Sequence, residues 1–164
     1  RTLFFLPSHF LNLTEIKSHK NLYRFVESLN KENNNPFDSI SLDPSKSIPN
    51  PKTVTITAIQ LAAYLGFNPI YLIGCDTSYI IPSNVTFENG VSDFLISNEN
   101  NDPNHFSTEY FGSGKKWHDP HVDRMFKQYE EANIVYKSIG LDIYNATVGG
   151  KLEVFPRVNY LDLF

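Results

Sequence analysis

The chain has 164 residues, enough for one domain with a buried core. Hydrophobic residues make up 41% and charged residues 20%, a balance that excludes a disordered chain. The net charge of −4 provides no basic field for phosphates, and the pair Lys115-Lys116 is too small to supply one, so nucleic-acid binding is not expected.

Leu3–Leu6 reads as a short strand closed by Pro7, because its apolar stretch lacks a small-residue cleavage pattern. No apolar run approaches the roughly 18–20 residues that span a bilayer, and the chain is expected to be cytoplasmic. Asn12, Asn84 and Asn145 begin glycosylation sequons, which heavy use of asparagine explains without secretion. Thr14 is placed to cap a helix running to about Leu29, with Leu22, Phe25, Val26 and Leu29 at helical spacing. From Lys31 to Lys52 prolines break the pattern, leaving a long loop or a weak strand around Phe37–Leu42.

Thr53 then caps a second helix, with Val54, Ala58, Leu61, Ala62 and Leu65 on one face and Gly66 as its left-handed stop. Ile70-Tyr71-Leu72-Ile73 is a continuous apolar run, the mark of a strand covered on both faces. Cys75, the single cysteine, excludes an internal disulfide and a cysteine-cluster metal site, and reads as an inert buried thiol. Residues 76–117 form a long polar excursion rich in aromatics, read as an ordered lid or binding loop. Asp119 fits a helix cap, Pro120 the first helical position and Asp123 the first turn. Met125, Tyr129, Ala132, Tyr136 and Ile139 make the apolar stripe, Lys137 suits the last turn, and Gly140 ends the helix. Ile143-Tyr144 reads as a strand, Gly149-Gly150 as a turn, and Val154–Phe164 as a short strand and helical turn. The order predicts one α/β domain over 1–164, Rossmann-like, mostly parallel, with flanking helices.

In open parallel sheets ligands bind beyond the carboxyl ends of the strands. Two strand ends meet that rule: Gly74-Cys75-Asp76-Thr77-Ser78-Tyr79 and Asn145-Ala146-Thr147. Gly74 permits close backbone approach, and the side chains after it offer a carboxylate, hydroxyls and a phenol suited to a phosphate or sugar. Equally, Asp76 and Ser78 can serve the loop's own amides. His105, His118 and His121 lie in the lid or at its exit. An imidazole at His118 could take a proton from a substrate hydroxyl, its unperturbed pKa being about 6.5. Asp102, His105, His118, Asp119 and His121 could instead bind a metal, although their spacing matches no strong zinc signature and Asp119 is wanted as a cap. His121 reads as an exposed first-turn residue. Neither a Gly-rich phosphate loop nor a Gly-x-Ser-x-Gly elbow is present.

The run TVTITAIQLAAYLGFNPIYLIGCDTSY resembles the core of the 6-hydroxymethylpterin diphosphokinase MptE-like family. The blocks NDPNHFSTEYFGSGKKWHDPHVDRM and IYNATVGGKLEVFPRV resemble its glycan-associated bacterial branch. More distantly, the same segments are similar to bacterial sialyltransferases that use a CMP-activated sugar on a Rossmann-like domain. That resemblance implies a glycosyltransferase-like domain moving sialic acid, or a related nonulosonic acid, from a nucleotide donor to a glycan acceptor in surface polysaccharide synthesis. By position, Tyr79 matches the phosphate-binding tyrosine, His118 the base and Asn145 the nucleotide-side turn. Gly74, Asp76, Ser78 and Thr147 join the donor side, and His105 and Tyr110 the acceptor side or lid. No metal is required by that chemistry.

The departures are specific. The second phosphate-binding tyrosine of that family has no counterpart, since Ile80-Ile81-Pro82 follows Tyr79. Its amino-terminal strand and Gly-Asn-Gly-Pro-Ser-like loop are also missing, so the chain is expected to be the carboxyl-terminal part of a larger domain. Two alternatives stay open. One is Mg²⁺-dependent diphosphoryl transfer to a pterin alcohol, with Asp76 as the best-placed carboxylate and Asp102 the next. The other is a non-catalytic glycan-binding module.

Overall fold

The computed structural model describes residues 4–8, 22–28, 35–88 and 91–164. Within them the chain is α/β in the broad sense, with helices and small sheets that include parallel pairs. Strand β1 (Phe4–Pro7) pairs in parallel with β2 (Leu22–Phe25), and β3 (Glu27–Ser28) pairs in parallel with β4 (Ile48–Pro49). The strand expected at Leu3–Leu6 is therefore present one residue later. The helix expected from Thr14 to about Leu29 is absent from its described part: Leu22 and Phe25 lie in β2 and Val26 is not helical, while Thr14 and Leu29 fall outside the described residues. Leu22-Tyr23-Arg24-Phe25 carries aromatic residues that suit a strand as well as a helix, and pairing with β1 decides between them.

The loop or weak strand expected around Phe37–Leu42 contains a helical turn, α1 (Pro36–Ser39). Pro36 stands at its start, where a missing amide hydrogen costs nothing, and the Asn35 side chain accepts from Phe37 N. Helix α2 (Val54–Tyr64) starts where expected, with Thr53 accepting from Thr55 N, and Gly66 at φ +85 closes it.

Its buried face is not the one the small residues suggested. Ile56, Thr57, Ile59 and Gln60 are buried, whereas Val54 is 82% exposed. Apolar residues surround this helix, so periodicity alone does not choose a side, and polar partners do. Gln60 accepts from Ser41 N at 2.7 Å and donates to Ile56 O, which draws that face inward.

Strand β5 (Ile70–Leu72) follows, and then the excursion, which is more regular than expected. It contains an antiparallel sheet of β6 (Val85–Glu88), β7 (Val91–Ser97) and β8 (Lys116–His118). Helix α3 (Val122–Ser138) leads into β9 (Ile143–Asn145), which pairs in parallel with β5 in the register Ile70 to Ile143 and Leu72 to Asn145. A 3-10 turn at Tyr160–Leu163 and a bridge from Arg157 to Asn145 form the tail.

The cap of α3 is a correction. The helix begins at Val122, with His121 as its cap residue at φ +42 and no side-chain capping bond, while Asp119 accepts from His121 N in a turn before it. Lys116–His118 is drawn into the β7 ladder, which holds Asp119 and Pro120 outside the helix.

The core gathers Ile56 and Ile59 of α2, Met125, Tyr129, Ala132, Val135 and Tyr136 of α3, Leu72, Ile143, Leu152 and Phe155. The α3 stripe is thus as expected except at Ile139, which is exposed. The expectation that Ile70–Ile73 is covered on both faces fails: Leu72 is buried, but Tyr71 is 41% and Ile73 58% exposed. A strand alternates its side chains between two faces, and the core lies against only one of them. On the other face Tyr71 stacks on Tyr144, with centroids 5.4 Å apart.

Candidate functional site

The carboxyl ends of β5 and β9 are laced together. Ala146 N donates to Leu72 O at 2.8 Å, Cys75 N to the Thr147 hydroxyl at 2.9 Å, and Lys151 N to Asp76 O at 2.7 Å. Gly74 at φ +73 turns the chain out of the sheet. The Asp76 carboxylate accepts from Ser78 N at 2.7 Å, fixing the loop, while the residue between them, Thr77, is buried at φ +51. That backbone is strained for a β-branched residue. Cys75 is half-buried, and burial pushes its thiol above the ordinary value.

Asn145 and Thr147 are structural in this arrangement. Asn145 is 0% exposed; its amide donates to Leu152 O at 2.8 Å and its side-chain oxygen accepts from Thr147 N at 3.0 Å. Both polar ends of Asn145, the asparagine expected on the donor side, are thus committed to the turn. Arg157 reinforces that turn by donating to the carbonyls of Thr147, Gly149 and Gly150.

The opposite wall comes from the excursion after β5. Asp102 is 6% exposed and accepts three hydrogen bonds: from His105 Nδ1 at 2.7 Å, Asn104 N at 2.9 Å and Phe111 N at 3.1 Å. Burial works against its charge, but the two amides and the imidazole prevail and hold the carboxyl below its ordinary value. The His105 ring stacks on Tyr110 at 4.1 Å and meets Phe111 edge-on, and Phe111 stacks on Trp117 at 5.6 Å. Trp117 is anchored by donating to the Ser97 hydroxyl at 3.0 Å. Asn104 clamps this wall to the strand-exit loop, accepting from Ile80 N at 2.8 Å and donating to Ile80 O at 2.7 Å.

Two adjoining clefts open between the walls. One, of about 280 Å³, is lined by Asp76, Ser78, Tyr79, Pro103, Asn104 and His105. The other, of about 230 Å³, is lined by Tyr79, Asn104, His105, Phe111, Trp117, His118 and Pro120. Tyr79, Asn104 and His105 are shared.

Of the residues expected at the site, Asp76, Ser78, Tyr79, His105 and His118 therefore meet at one groove. Gly74, Asn145 and Thr147 shape the strand ends without lining it, and Tyr110 backs His105. His118 is exposed, with its ring tilted over Phe94 at 4.1 Å.

Asn104, Phe111 and Trp117 were not singled out from the sequence. The signal for Asn104 and the His105 pair was the spacing Asp102-x-Asn104-His105, which suits a carboxylate accepting from the residues just after it. His121, far from free in a first turn, bridges to Asp93 at 2.9 Å and lies 3.7 Å from Asp119. Of the five possible ligands, Asp102 pairs with His105 and Asp119 lies beside His121, while His118 rests on Phe94 outside both pairings. Among the described residues no group of three or more His, Cys, Asp or Glu is arranged to hold a metal, and no helix is long and apolar enough to cross a membrane. No family model matches this chain, and no curated protein or solved structure matches it significantly.

Proposed function

We propose that this groove takes a nucleotide-activated sugar, sialic acid or a related nonulosonic acid, and transfers it to a glycan acceptor in surface polysaccharide synthesis, on a Rossmann-like domain in the cytoplasm. The observation that carries the reading is the meeting of the Tyr79 phenol with two imidazoles, His105 and His118, along one aromatic-walled cleft. These side chains come from segments far apart in sequence. Sugar transfer of this kind passes through an oxocarbenium-like state, with negative charge growing on the departing phosphate. A phenol stabilises that charge by donating a hydrogen bond, and an imidazole takes the acceptor's proton. The aromatic wall of His105, Phe111 and Trp117 offers flat apolar surface for a sugar or base to lie against. The parallel β5–β9 pair supports the Rossmann-like reading, since ligands of such sheets sit beyond the strand ends where the groove opens. The resemblance to CMP-sugar transferases supports the choice of donor.

Ligand-linked stabilisation tests this directly. CMP and a CMP-activated sugar, at about 100 times the dissociation constant, should stabilise the full chain by about 2.7 kcal/mol. Tyr79→Phe should lower transfer while leaving the fold unchanged. Stabilisation by ATP with Mg²⁺ and none by CMP would turn the reading toward the pterin diphosphokinase, with Asp76 as metal ligand.

A further inference from the structure

We infer that His105, oriented by Asp102, is the general base of this groove, in place of His118. The inference rests on the transfer reading above. An ionised carboxylate only accepts hydrogen bonds, so its 2.7 Å contact with Nδ1 requires the proton of a neutral His105 to sit on that nitrogen. Nε2 is then left with its lone pair as the proton acceptor. The amides of Asn104 and Phe111 fix Asp102 itself, and stacking on Tyr110 with an edge-on contact to Phe111 fixes the ring. Asn104, next in the chain to His105, is clamped by two hydrogen bonds to Ile80, next in the chain to Tyr79. The base and the phenol are therefore held on two segments tied to each other, and both line both clefts.

The other two lid histidines lack this combination. The His118 ring makes no hydrogen bond among the described residues, so nothing sets its tautomer, and it rests tilted on Phe94. His121 is engaged by Asp93 and Asp119 and does not line the cleft.

In the step itself the acceptor oxygen forms a bond to the anomeric carbon as its proton passes to His105 Nε2. The bond from that carbon to the donor phosphate breaks, and its electron pair leaves with the phosphate beside Tyr79. Asp102 is a positioning residue, since it reaches the reaction only through the ring.

Two measurements on the full chain test this. Long-range nitrogen–proton NMR of the imidazoles reports which nitrogen carries the proton. His105 should be the Nδ1–H tautomer, and Asp102→Asn should abolish that preference without changing His118. With a CMP-activated sugar, His105→Gln should reduce transfer by about 10²–10⁴-fold with the donor's thermal shift intact, while His118→Gln costs less than tenfold. An Nε2–H tautomer on His105, or a loss that follows His118 instead, overturns the assignment. A chain that no nucleotide sugar stabilises overturns the transfer reading, whatever the tautomer shows.

Discussion

Gly150 has no room for a side chain. A Cβ there would lie 2.6 Å from Asp76 Cα, whereas at Gly149 it would meet open space. Both residues have positive φ, +71 for Gly149 and +79 for Gly150, so alanine at either carries the left-handed penalty of about 1–2 kcal/mol. Only at Gly150 is there a backbone collision as well, and overpacking of that kind costs about 1–3 kcal/mol more. Gly150→Ala should therefore lower stability clearly further than Gly149→Ala in thermal unfolding. Equal losses would show that the contact with Asp76 contributes nothing. Because that contact sets the loop carrying Asp76 and Ser78, Gly150→Ala should also weaken binding of the proposed nucleotide-sugar donor. A turn was readable from the Gly-Gly pair, but the approach to Asp76 was not, since the two lie 74 positions apart.

At the level of the element, the segment from residue 102 to 117 hangs on one carboxylate. Asp102 ties His105, Asn104 and Phe111 together, and Phe111 passes that order to Trp117 by stacking. The Asp102 carboxyl is held below its ordinary value, so its contribution to stability is complete above the unfolded-state pKa of about 3.9. It is lost as pH falls through the lower, folded value. Trp117 is the only tryptophan, and its fluorescence should report this loosening below about pH 4. In Asp102→Asn the acid step should vanish and the emission should already be altered at neutral pH. A Trp117 transition with its midpoint above that of an ordinary carboxyl would assign the step to another group. Length and aromatic content marked this stretch for a lid or binding loop, and its order around Asp102 is what the hydrogen bonds show. Its β6–β7–β8 sheet was missed although the sequence carries a local hairpin signal, Asn-Gly between Val85–Glu88 and Val91–Ser97; only β8 is brought from farther along the chain.

Across the molecule, buried polar side chains attach the segment before α2 to the helices. Gln60 accepts from Ser41 N, Gln128 accepts from Lys52 N at 2.7 Å, Glu131 accepts from the Ser39 hydroxyl at 2.5 Å, and Tyr136 donates to Ser41 O at 3.2 Å. Burial also pushes the Tyr136 phenol well above its ordinary pKa. Gln60→Leu keeps the bulk of the side chain but leaves Ser41 N without this acceptor, at a cost of about 1–3 kcal/mol in chemical denaturation. Loss within a few tenths would mean that water replaces the glutamine.

Apolar patterning, with the Thr53 cap for α2 alone, was enough to locate α2, α3 and both strands of the β5–β9 pair, because those signals act between residues a few positions apart. Which face of α2 turns inward, that His105 and not an isolated imidazole acquires a carboxylate partner in the groove, and that Asn145 supports the turn were settled only by folding. Each depends on a hydrogen-bond partner or packing surface brought from elsewhere in the fold, and no local pattern records where that partner will come to rest.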